Sequence, residues 1–121
     1  MNIGEIEPST FRGGELRAPV PASEVTFSRR ELDRILSLYG RKVAAGEWRD
    51  YAIDFLRDRA VFSVFRHSCD FPIYRIEKNP RLERRQGTYS VISATGHILR
   101  RGRELERVLA ALDGMLHVVA G

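Results

Sequence analysis

Apolar positions along this chain repeat with two periods, and the switch between them divides the sequence. Leu32, Ile35, Leu36, Tyr39 and Val43 recur at helical spacing. Ser28, just ahead of them, is placed to accept the first backbone N–H bonds, and Glu31 three residues on completes a capping box. Phe27 and Leu32 occupy the two positions of a hydrophobic staple, and Gly46 supplies a stop. A helix is predicted between those signals, with Arg30, Arg34, Arg41 and Lys42 off the apolar stripe and facing solvent.

From Trp48 the period falls to two. Tyr51, Ile53 and Phe55 alternate with Ala52 and Asp54, and Arg57-Asp58-Arg59 turns the chain into a strand from Ala60 to Arg66. That strand is apolar on nearly both faces, which predicts a central position with its second face covered. Phe71 to Lys78, Thr88 to Ser93 and His97 to Arg100 follow as further strands, separated by Asn79-Pro80 with the polar run Arg81 to Gly87, and by Thr95-Gly96. Leu105, Val108, Leu109, Leu112, Met115 and Leu116 then restore the helical period over Glu104 to Leu116. The resulting fold class is α+β: an antiparallel meander of four to five strands flanked by an N-terminal and a C-terminal helix. Trp48 is expected to anchor the helix-to-strand corner.

Ahead of this pattern, residues 1–26 hold Pro8, Gly13-Gly14, Pro19 and Pro21 with no apolar period. They read as a flexible N-terminal arm, with a short strand or docked segment near Leu16 to Val20; residues 27–121 read as a single α+β domain. The arm carries two arginines and four glutamates, whereas residues 27–121 carry 18 basic and 12 acidic side chains. The folded part is therefore the basic part. A lone Cys69 excludes an internal disulfide framework, and no apolar run is long enough to span a bilayer, so a cytoplasmic location away from membranes is expected.

Candidate chemistry concentrates in arginines. Both predicted helices open on them, at Arg29-Arg30 and at Arg100-Arg101-Gly102-Arg103. The positive end of a helix dipole disfavours cations, so such clusters point to a place for an anion. Arg75, Lys78, Arg81, Arg84 and Arg85 surround the third connection of the meander. If the sheet brings them to Arg100, Arg101 and Arg103, their side chains form an anion or partner-binding surface for phosphate or carboxylate groups. Sheet aromatics are expected to face mostly inward. His67, Cys69 and Asp70 gather polar groups in one turn, but a structural zinc needs four ligands and no second pair is present. No phosphate-binding glycine loop, zinc-protease motif or nucleophile elbow occurs, so no catalytic residue, metal or cofactor is assigned.

Several long runs are similar to one family. They are Phe27-Ser28-Arg29-Arg30-Glu31-Leu32, Leu38-Tyr39-Gly40-Arg41 and the stretch from Ala44 to Asp54. Ala60 to Arg66, Tyr74 to Lys78 and Arg84 to Val91 continue the likeness. Together they resemble DUF2794, a family of small alphaproteobacterial proteins, over roughly residues 26–117. The resemblance implies a bacterial, cytosolic protein and brings no activity or cofactor with it. In outline, the order helix, sheet, helix is also similar to that of double-stranded-RNA-binding domains, which place cations where Arg100, Arg101 and Arg103 stand.

The functional expectation is a noncatalytic binding or regulatory domain that contacts an acidic protein or a nucleic acid through its basic surface. A homodimer through an uncovered sheet face is compatible with it. The competing reading is a small enzyme or ligand-binding subunit with a site near His67, Cys69 and Asp70.

Overall fold

A computed structural model describes residues 9–12, 24–67 and 71–120, with the backbone path alone for 9–12 and 114–120. Helix α1 spans Arg29–Ala44 and begins as the sequence dictates. The Ser28 hydroxyl accepts the Glu31 N–H at 3.1 Å, and the Glu31 carboxylate accepts the Ser28 N–H at 2.7 Å. Gly46 stops the helix with φ +77°, a left-handed conformation that costs glycine little.

Five consecutive strands form the expected meander: β2 (Asp50–Phe55), β3 (Ala60–Phe65), β4 (Tyr74–Lys78), β5 (Tyr89–Ser93) and β6 (Ile98–Gly102). Each pairs antiparallel with the next. A further strand, β1 (Ser9–Arg12), extends the sheet on the outer edge of β2, giving the order β1-β2-β3-β4-β5-β6. It lies within the segment read as an arm; the strand expected near Leu16 to Val20 falls outside the described residues. Helix α2 spans Leu105–Ala120 and closes the chain. Its expected apolar positions Met115 and Leu116 fall outside the described side chains.

Register fixes which residues share a face. Ile53, Phe62, Ile76 and Val91 lie in one row across β2 to β5, on the face that both helices cover. Ile35 and Leu38 of α1, with Leu105, Val108, Leu109 and Leu112 of α2, pack onto that row to form the core. Aromatic rings line the same side: Tyr51 stacks on Phe62 at 4.9 Å between centroids, and Tyr39 meets Tyr51 edge-on at the same distance. Trp48 is buried among Tyr39, Tyr74 and the core, and anchors the corner between α1 and β2.

The helices run side by side and parallel, because Arg34 of α1 pairs with Glu106 of α2 and Arg41, seven residues on, pairs with Asp113. This neighbour rotates the buried stripe of α1 away from the one read in the sequence. Leu36 and Val43 are 37% and 41% exposed, while Leu38 is buried in the core. Lys42, expected in solvent, is only 4% exposed. Its Nζ donates to the Leu112 carbonyl at 3.2 Å and to the Glu47 carboxylate at 3.4 Å, and lies over the Trp48 ring, 5.9 Å from its centroid.

The opposite face of the sheet mixes buried apolar positions with a recess of about 400 Å³ lined by Asp54, Arg59, Val61, Ser63, Arg75 and Glu77. Ala52, Val61, Ser63, Phe65, Ser90 and Ile92 are all buried there, and every residue of β3 is buried.

Candidate binding site at the β6 corner

The long connection between β4 and β5 is a built structure rather than a slack loop. Asn79 caps a 3-10 turn over Pro80–Leu82, its side chain accepting the Arg81 N–H at 3.1 Å. The Leu82 carbonyl accepts the N–H groups of Gln86 and Gly87 at 2.9 and 2.8 Å, and the Thr88 hydroxyl bonds the Glu83 carboxylate. Gly87, with φ +96°, lies so close to Gly102 that a Cβ there would stand 2.4 Å from the Gly102 carbonyl carbon. Only glycine permits that approach, and it presses the connection against the junction of β6 and α2.

Two arginines hold the junction shut. Arg103 Nε donates to the Glu83 carbonyl at 3.0 Å and its terminal nitrogen to the Arg84 carbonyl at 3.2 Å. Arg101 Nε donates to the Ser90 hydroxyl at 3.1 Å, and its guanidinium also bonds the Gln86 side-chain oxygen. The convergence expected from sequence thus holds for the segments 81–87 and 100–103. Arg81, Arg84, Arg85 and Arg100 are exposed around it, and among the described residues their guanidinium groups form no ion pair or hydrogen bond. Arg100, Arg101, Arg103 and Arg107 line a recess of about 260 Å³ at the start of α2, with Glu104 the one acid on its wall.

The other two candidates stand apart. Lys78 points under α1, where Nζ donates to the Glu31 carboxylate and to the Thr26 carbonyl, both at 2.8 Å. Burial acts to raise the Glu31 carboxyl, but hydrogen bonds from Lys78, Tyr89 and the Ser28 N–H outweigh it and hold the group below its ordinary range. The Tyr89 hydroxyl is pushed upward by burial first, and then by its bond to Glu31 and the surrounding carboxylates. Lys78 is thus a structural cation with a resident partner. Arg75 lies on the face away from the helices, where its Nε is 3.7 Å from Glu77, and Arg59 approaches the same carboxylate at 3.9 Å.

Parallel packing also sets the two helix starts side by side, over a cleft of about 320 Å³ that includes Arg30, Arg34 and Arg103. Glu31, Glu104 and Glu106 line the same cleft, and Glu31 already satisfies the first turn of α1. Arg30 thus shares its cleft with carboxylates of the same chain. His67 is exposed, while Ser68, Cys69 and Asp70 lie outside the described residues. Among the described residues, no three His, Cys, Asp or Glu side chains gather as metal ligands, and no helix is long and apolar enough to cross a membrane.

Three residues escaped the sequence reading. Arg107, in the first turn of α2, lines the recess beside Arg103 and pairs with Glu104 at 3.2 Å. Ile98 and Leu99, 48% and 37% exposed on β6, carry no sequence signal, since an edge strand and a buried one show the same apolar pair. No curated protein and no solved structure matches the chain. A family profile described as "Protein of unknown function (DUF2794)" does match, over residues 25–109, a span that runs from the staple of α1 through the whole corner into α2. On that match the chain belongs to the DUF2794 family.

Proposed function

We propose that this domain is a noncatalytic binding or regulatory module, cytoplasmic, whose arginine corner docks an acidic partner, protein or nucleic acid. The observation that carries the reading is where the charge sits. Residues 79–107 hold seven arginines and three glutamates, a net of +4, and the remaining residues hold thirteen basic and thirteen acidic side chains. The whole formal charge of the chain, +4, is thus equal to that of one corner.

Like charges packed together repel, and the guanidinium groups of Arg81, Arg84, Arg85 and Arg100, unlike those of Arg101 and Arg103, make no bond among the described residues that would give fold stability a reason for them. An anion bound against them relieves the repulsion. Guanidinium groups suit that task, since each presents a planar fork to carboxylate or phosphate oxygens. Arg101 fixes the scaffold through neutral acceptors, Arg103 through two carbonyls with the Glu83 carboxylate 3.9 Å away, and Arg81, Arg84, Arg85 and Arg100 project from it.

Fluorescence anisotropy of labelled polyglutamate and of a labelled RNA duplex, titrated with the full chain across a salt series, tests this reading. Binding of at least one polyanion at low salt, with log K falling linearly against log salt, is expected. Absence of binding to both at about 20 mM salt overturns it.

A further inference from the structure

The sheet ends at β6, whose outer edge pairs with no strand among the described residues. Unpaired edges of this kind are templates for another strand, and proteins guard them with charge or bulges. Here the edge is partly guarded: the β5–β6 register shifts between Val91 and Ile92, and Arg100 and Arg101 sit in the strand. Yet Ile98 and Leu99 are exposed at the same edge. A strand that only repelled others would not need an apolar pair at its solvent border.

We infer that an extended acidic segment of a partner protein adds to the outer edge of β6 as a further antiparallel or parallel strand. Its carboxylates meet Arg100 and the Arg84-Arg85 pair, whereas Arg107 already pairs with Glu104 at 3.2 Å, and its apolar side chains rest on Ile98 and Leu99. The inference rests on the proposed acidic-partner reading and names the partner's class and binding mode.

Charge selects this occupant. A second copy of β6 is disfavoured, because the strand holds Arg100 and Arg101 and no acid, so two copies paired about a two-fold axis put four guanidinium groups on one seam with no carboxylate from either strand to offset them. An acidic strand replaces that repulsion with attraction while its main chain satisfies the exposed edge. Single-stranded nucleic acid fits less well. Binding of that kind uses successive aromatic rings as stacking platforms, and here Tyr51, Phe62, Tyr74 and Tyr89 lie on the helix-covered face, Phe65 is buried on the other, and the 88% exposed Phe71 precedes β4, outside the strand that carries Arg100.

The test is anisotropy of the full chain with a short labelled peptide alternating glutamate and valine. Its partner probe is the same peptide N-methylated at alternate residues, which keeps every charge but loses the edge donors. The unmodified peptide should bind at least about tenfold more tightly than the methylated one. Leu99→Asp and Arg100→Glu should each weaken it by a similar factor, while Arg66→Glu, exposed far along the chain on β3's exit, should leave it unchanged. Circular dichroism of each variant confirms that it is folded. Equal binding of both peptides overturns strand addition and leaves acidic-partner binding standing. Failure of every polyanion to bind overturns both. Tighter binding of an RNA duplex than of the unmodified peptide, lost in Arg100→Glu, also overturns the inference in favour of a nucleic-acid partner.

Discussion

Glu31 shows how much a single side chain holds together. Its carboxylate receives the Ser28 N–H, the Lys78 ammonium and the Tyr89 hydroxyl, and so ties the start of α1 to β4 and β5. Hydrogen bonds to a charged group contribute about 1.5–3 kcal/mol each, so Glu31→Gln should cost roughly 2 kcal/mol in urea unfolding at neutral pH, much of it from leaving Lys78 without a counter-charge. The sign with pH follows from the lowered carboxyl. A group whose folded pKa lies below its unfolded one stabilises above the unfolded value of 4.5 and loses that contribution as pH falls through the folded value. Wild type should therefore lose stability more steeply than Glu31→Gln on acidification below about pH 4.5. Parallel pH profiles for the two proteins would show that the carboxylate is not what links these elements.

Among the elements, the corner depends on one contact of two glycines. Gly87→Ala forces a Cβ into the Gly102 backbone and holds a non-glycine residue at φ +96°. A loss of about 2–4 kcal/mol is expected in denaturant unfolding. Gly96→Ala is the matched comparison, because Gly96 has φ +92° but nothing within 4 Å of the added carbon. It should cost only about 1 kcal/mol; equal losses at both sites would remove the close approach as the cause. The sequence announces some of this architecture and hides the rest for physical reasons. Ser28, Glu31, Phe27 and Leu32 locate α1 because capping is a local interaction, and alternation locates the strands because the pleat has period two. Lys42 was misread because its burial depends on α2, which lies some seventy residues away in the chain. The meeting of 81–87 with 100–103 was legible only as a condition, since it requires the register of three strands. Nothing local distinguishes Ile98 and Leu99 on an edge from the same pair in the interior.

At the scale of the whole molecule, two parallel helices cover one face of the sheet, and the exposed large apolar side chains among the described residues are Leu36 and Val43 on α1, Phe71 ahead of β4, and Ile98 and Leu99 on β6. Apart from these, the outer strand, a rigid connection and a helix start meet at one corner and present arginines together. The decisive comparison keeps net charge constant and moves its loss. Arg84→Glu with Arg100→Glu, and Arg57→Glu with Arg66→Glu, each remove four charge units and bring the formal net charge from +4 to zero. Polyglutamate titrated at low salt should lose at least about tenfold in affinity for the first variant and stay within about twofold of wild type for the second. Equal losses in the two variants would mean that overall charge, and not the β6 corner, does the binding.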